Sequence, residues 1–310
     1  MSHFEASLAL LSTIIGGGIV GIPYAMYHTG IPFGILLNLF VMLSCWYSCK
    51  LYLAAKNLVP VYVESLYEIG FVCMGRASIF LISIILLISS AGLMMIYFIV
   101  FGDTFASIIK QTCYPDLTDD KDVFWTGRIF YVLCLGVALI PIILKKELRE
   151  LKLVSVTLFV AIGTFVLIFV IQLSMGKAVN TDNDYKKYYR ATWDSQIVTA
   201  FSIILVAYSF QQNLFPTYNG LKIKTEKECL KVCFTSLSFS FFIYISLGIL
   251  AIYMFGSQLS ESVLDNVDLM TSAASYIIRV LFLIVLACHI PYIFYSGKES
   301  LLIIVDEIRY

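Results

Sequence analysis

The sequence predicts an all-α, polytopic membrane bundle of about eight crossing helices, the first and sixth of them broken. Three observations carry that prediction. Hydrophobic residues make up 60% and charged residues 14% of the 310-residue chain, and the mean hydropathy is +0.88; a soluble domain averages roughly 25% charged residues. Apolar runs long enough to cross a bilayer recur along the whole chain. Two of those runs carry, near their middles, residues that a lipid-facing helix should avoid.

The first run, about Phe4 to Tyr27, holds Ile14-Ile15-Gly16-Gly17-Gly18-Ile19-Val20-Gly21-Ile22-Pro23-Tyr24-Ala25. Glycine permits unusual backbone angles and close approach, and proline removes a hydrogen-bond donor. A span can open at membrane depth only where its freed N–H and C=O groups face protein, water or a ligand. Transporters build sites from such half-helix ends. The alternative is a small-residue interface between two tightly packed helices.

The other elements follow in order. A second span runs from about Pro32 to Ala54, with Lys50 and Lys56 at its end. Pro60 to Gly75 is too polar to span and reads as an interfacial or re-entrant helix, its Glu64 and Glu68 forming a solvated face. The third span covers about Ala77 to Phe101, and Cys113 to Phe124 reads as an acidic loop. The fourth covers Thr126 to Leu144 and the fifth Leu151 to Met175, joined by the short basic turn Lys145–Arg149. Gly176 to Asp194 is a polar loop whose Tyr185, Tyr188 and Tyr189 suit a membrane surface. The sixth span runs from about Gln196 to Tyr218, the seventh from Val232 to Phe255 and the eighth from Ala273 to Tyr295.

The sixth span repeats the anomaly of the first. Gln211, Gln212 and Asn213 put three amides in a row, and Pro216 follows. Buried amides are costly unless they face a cavity or another helix. If five helices form one repeat and the next set an inverted second one, the two broken spans occupy corresponding positions. Such a matched pair points to a midplane binding site. The alternative places the amides at a helix end near the inner surface.

Charge placement gives an orientation. With an inside N-terminus, thirteen of the twenty-one basic residues fall on the inner side, Lys145, Lys146, Arg149, Lys222, Lys224, Lys227 and Lys231 among them. The positive-inside bias therefore predicts a cytoplasmic or matrix-equivalent N-terminus. Asp103 and Arg279 sit near the outer span ends and are expected to snorkel. No secretory or transit peptide precedes the first span, so the membrane address is expected to be internal.

Several chemistries are excluded. The eight cysteines form no disulfide framework: Cys45/Cys49 and Cys229/Cys233 each share a helix face and read as packing residues, with no metal site. No nucleophile elbow, phosphate loop, zinc-protease motif or paired-carboxylate site is present, so no catalytic residue, cofactor or enzyme activity is expected. Nor does a basic soluble domain offer itself to nucleic acid.

Residues Ile14 to Ala25 resemble the opening helix of the amino acid/auxin permease family, and Gly30-Ile31-Pro32-Phe33-Gly34-Ile35 resembles the start of its second span. Phe210 to Asn219 and Arg279 to Leu301 are similar to its sixth and eighth helices. The resemblance covers nearly the whole chain. It implies a LeuT-type fold, one transporter-like domain over 1–310, with a first five-helix repeat at 1–175 and a partial second repeat at 195–310. It also implies proton- or sodium-coupled amino acid transport, with an amino acid and membrane lipid as partners. By position it assigns substrate binding to Ile15, Gly16, Gly17, Gly18, Tyr208, Ser209, Phe210, Gln211 and Gln212.

The chain departs from that pattern in two places. The family usually has eleven spans, and eight are read here. Where sodium-coupled relatives carry a hydroxyl residue, this chain has His289 beside Cys288. An imidazole suits a proton better than Na⁺. His289 is thus a coupling candidate; the alternative is a neutral histidine bonded to a carbonyl that Pro291 leaves free. The first departure raises a second functional reading, a transport-inactive subunit of a larger membrane complex, for which the mitochondrial inner membrane is one address. That reading expects the helix face with Tyr276, Leu283, Leu286 and Ile290 to lack partners within the chain.

Overall fold

A computed structural model of the chain describes residues 1–16, 18–59, 65–114, 127–143, 152–176, 178, 180, 185–190, 195–268 and 273–309. The described residues form a polytopic helical bundle. The helices are α1 (His3–Ile14), α2 (Gly18–Thr29), α3 (Ile31–Leu58), α4 (Leu66–Met74), α5 (Ala77–Cys113), α6 (Arg128–Ile143), α7 (Lys152–Ser174), α8 (Gln196–Ala207), α9 (Leu214–Gly220), α10 (Glu226–Phe255), α11 (Val263–Asp268) and α12 (Ala273–Arg309). Among the described residues, six spans are long and apolar enough to cross a membrane: α3, α5, most of α7, α8 with α9, α10 continued to Gln258, and α12. The bent pair α1 and α2 makes a further candidate span, and α6 is a shorter apolar helix.

α5 shows why lipid is the solvent. Its Leu81, Ile84, Ile85, Ile88, Met95, Ile96 and Ile99 are exposed, while Ser78, Ser83, Ser90 and Thr104 are buried. In water such a stripe would be a large apolar patch. In a bilayer it is the face that meets acyl chains, and small hydroxyl residues mediate helix contact. Gly297 of α12 fits here: a Cβ on it would lie 3.0 Å from the Ser90 Cβ.

Local signals set the helix ends. Ser2 and Glu5 form a capping box for α1, and Ser65 and Thr225 accept from the Glu68 and Glu228 amides to start α4 and α10. Gly30, at φ 72°, turns the chain from α2 into α3.

The two broken spans are found, with differences of detail. α1 and α2 meet at 65°, and α8 and α9 are separated by Tyr208–Phe210 and a 3₁₀ turn at Gln211–Asn213. The prolines do not mark the breaks. Pro23 lies inside α2, and Pro216 lies in the first turn of α9, where a missing N–H is harmless. α1 packs against α9 and α2 against α8, so each half of one broken span has a half of the other beside it. α10 lies against both α1 and α2, and α12 packs on α5 and α7.

Other expectations need correction. α5 runs on to Cys113, so that cysteine ends a helix rather than sitting in a loop. Arg279 does not snorkel: it is 1% exposed, donates to Gln111 Oε1 at 2.8 Å and lies over the Tyr276 ring. Asp103 does reach solvent and faces Arg128 at 3.6 Å. Leu283, Leu286 and Ile290 are buried within the chain, because α12 turns that face toward its own neighbours. The exposed large apolar residues of α12 are instead Ile277, Val280, Ile284, Leu301, Leu302, Val305 and Ile308. Glu64, Lys145–Arg149 and most of the acidic loop lie outside the described residues.

Candidate functional site

The site is best built from the carbonyl groups that the breaks release. A helix leaves its last carbonyls without intrahelical donors. At the end of α1, Leu11 O accepts the Ile15 N–H at 2.9 Å. The Ser12 carbonyl accepts from His289 Nδ1 at 2.7 Å, and the Ile14 carbonyl accepts from the Tyr244 hydroxyl at 2.9 Å. At the end of α8, Tyr208 N–H and Ser209 N–H return to Ile204 and Val206, and the Ala207 carbonyl accepts from the same Tyr244 hydroxyl at 2.9 Å. One side chain from α10 thus bridges both breaks. Its ring is fully buried and meets the Tyr208 ring edge-on, 5.1 Å between centroids.

The glycines serve close approach. A Cβ on Gly16 would fall 2.3 Å from His289 Nε2, and one on Gly18 would fall 2.8 Å from both Cα and Cβ of Ala207. Gly21 continues the row, with Ile203 Cγ2 at 2.9 Å from its would-be Cβ. The imidazole therefore fills the space beside Gly16, and α2 and α8 touch at Gly18. Small-residue packing and the broken span, posed as alternatives from the sequence, are both present.

The residues assigned by resemblance are placed as follows. Ile15 and Gly16 are buried at the end of α1, Gly18 begins α2, and Gly17 lies outside the described residues. Tyr208 and Phe210 are buried, Ser209 is exposed, and Gln211 and Gln212 are half-buried. Gln211 Oε1 accepts the Phe210 N–H at 3.0 Å. Gln212 Oε1 lies 3.5 Å from Ser90 Oγ and 3.3 Å from Ser296 Oγ. The Tyr208 hydroxyl and Asn213 Oδ1 are buried with no hydrogen-bond partner among the described residues. Such groups in a membrane interior mark a place where a polar guest could bond.

Tyr244 was not singled out by the sequence. It is one of 20 tyrosines in the chain, and only the position of two breaks far off in the chain distinguishes it. Cys49, Cys229 and Cys233 also meet, where α3 packs on α10. Among the described residues no group of three or more possible ligands is arranged to hold a metal ion.

The profile described as transmembrane amino acid transporter protein matches residues 1–296. The chain belongs to the transmembrane amino acid transporter family. It is similar to vacuolar amino acid transporter 7 of Saccharomyces cerevisiae, 24% identical over 86% of this chain and 52% of that one. It is also similar to amino acid transporter AVT6E of Arabidopsis thaliana, 21% identical over 96% and 62%. Vacuolar amino acid transporter 5 of Saccharomyces cerevisiae is 21% identical over 97% of this chain and 67% of its own length. The chain spans about half to two thirds of the length of these relatives. It is an integral membrane protein of a transporter family, and its relatives are named as transporters, not enzymes. The comparisons lend no support to the complex-subunit reading, and Leu283, Leu286 and Ile290, which that reading expected to lack partners within the chain, are buried in it.

Proposed function

We propose that the chain carries an amino acid across its membrane, with the substrate held where the two broken spans meet. The observation that carries this is the Tyr244 bridge, which brings the ends of α1 and α8 to one point. The N-terminus of α2 presents the positive end of a helix dipole, which suits a carboxylate. The carbonyl ends of α1 and α8 suit an ammonium group. The same arrangement supports two repeats, 1–175 and 195–310: each opens on a broken span followed by a long helix, α3 or α10.

Of the two coupling ions, we favour the proton. The imidazole of His289 is buried against the end of α1, where it bonds the Ser12 carbonyl, and an imidazole suits a proton better than Na⁺. The names of the yeast relatives favour a vacuolar membrane over the mitochondrial one, and the lysines at the start of α10 favour a cytoplasmic N-terminus.

Reconstitution tests the function. Purified protein in proteoliposomes is expected to take up at least one amino acid saturably, and uptake should respond to a pH gradient rather than to a sodium gradient. Failure to carry any amino acid under either gradient would refute the reading.

A further inference from the structure

A cavity of about 430 Å³ lies between α9 and α12, with α4 and α5 completing its walls. Phe215 and Asn219 of α9 face it one turn apart, as do Ser296, Glu299 and Ser300 of α12. Gln212 lines the same cavity and belongs to the 3₁₀ turn of the sixth span's break. Its side-chain oxygen is held by Ser90 and Ser296. Gln212 therefore stands between the proposed substrate site and the vestibule, in both walls at once.

The vestibule's chemistry is lopsided. Among the described lining side chains, Glu299 carries the only formal charge; the others are apolar, hydroxyl or amide. The Met1 ammonium also lines the cavity, bound to the Gly220 carbonyl, and sets one positive charge against that carboxylate. Glu68 of α4 lies near enough to add like charge to that of Glu299. Low-dielectric walls focus the field of a carboxylate into the space they enclose. A guest with net positive charge relieves that field, a zwitterion leaves it, and an anion adds a like charge.

We propose that this vestibule is a second binding station on the transport path, selective for amino acids with a cationic side chain, whose ammonium or guanidinium is received by Glu299. The proposal rests on the transporter reading above. The hydroxyl groups of Ser296 and Ser300 and the amide of Asn219 suit the substrate's carboxylate. Gln212, at the boundary, is where the substrate leaves one site for the other.

The test is uptake of radiolabelled arginine, lysine, alanine and leucine by proteoliposomes carrying the intact protein, Glu299→Gln or Glu299→Asp. Arginine and lysine are expected to show the lower KM with the unaltered protein. Glu299→Gln should raise their KM about tenfold or more, the value of one charge-assisted hydrogen bond, and change alanine and leucine little. Glu299→Asp keeps the charge and should keep the preference, which separates loss of selectivity from loss of folding. Three results would overturn the inference while leaving transport standing. One is uptake of the neutral amino acids alone, and another is an equal effect of Glu299→Gln on all four. The third is an Na⁺ or K⁺ requirement for alanine uptake that Glu299→Gln removes, which would make a small cation the occupant. If none of the four is carried but other amino acids are, this inference alone fails; if no amino acid is carried, both readings fail.

Discussion

The Nδ1 atom of His289 lies 2.7 Å from the carbonyl oxygen of Ser12. A carbonyl can only accept, so Nδ1 carries the proton. The contact ties α12 to the C-terminal end of α1, across 277 residues of chain. The histidine does bond a backbone carbonyl, as one of the sequence-based alternatives had it, but not one that Pro291 releases on its own helix. The Tyr97 ring closes the other side of the imidazole, 5.1 Å between centroids.

This geometry makes Gly16 and His289 a coupled pair. Gly16→Ala in the unaltered protein forces the imidazole from the Ser12 carbonyl, and a loss of about 1–3 kcal/mol is expected from overpacking. In a His289→Ala background the same change should cost far less, since the space is then vacant. Thermal unfolding of the two single variants and the double variant in detergent measures the non-additivity. Additive losses would show that the two residues do not share that space.

Tyr244→Phe keeps the ring and removes the bridge. The Ile14 and Ala207 carbonyls then lose their donor in a buried setting, at a cost of about 1–3 kcal/mol. Because the hydroxyl joins both breaks, uptake should fall more steeply than stability does. Paired measurement of melting temperature and initial uptake rate checks this. A variant with normal uptake would show that the bridge is dispensable.

Gly18→Val should abolish uptake, since its Cβ meets the Ala207 backbone at 2.8 Å and a helix cannot shift as a side-chain tip can. Gly92→Ala is the control. Nothing lies within 4 Å of its would-be Cβ, and replacing a mid-helix glycine should stabilise α5 by about 0.5–1 kcal/mol. Equal outcomes at the two positions would contradict the packing described.

Arg279→Lys should behave as a damaging substitution despite keeping the charge. Arg279 donates to Gln111 and stacks over Tyr276 with its planar guanidinium, which a lysine ammonium cannot reproduce. A loss of about 1.5–3 kcal/mol is expected, the range for hydrogen bonds to charged groups. Thermal unfolding against Gln111→Ala checks the assignment, and the two changes should not add. Arg76 and Glu307 also pair, but at an exposed end of the bundle. Reversing that pair should change stability by no more than about 1 kcal/mol.

What the sequence determined by itself is local. Composition and run length establish the membrane bundle, and four glycines in one span and three adjacent amides in another mark where the helices break. These are properties of a window of residues, because helix continuity depends on the dihedrals and donors of its own few turns. The tertiary structure alone decided which groups answer the breaks. Tyr244 reaches Ile14 across 230 residues, the imidazole of His289 takes the room that Gly16 leaves, and Arg279 finds Gln111 instead of the membrane surface. No periodicity encodes these partners. A buried polar group bonds to whatever donor or acceptor the packing of distant helices brings within reach, and that distance is set by the whole bundle rather than by the span that carries the group.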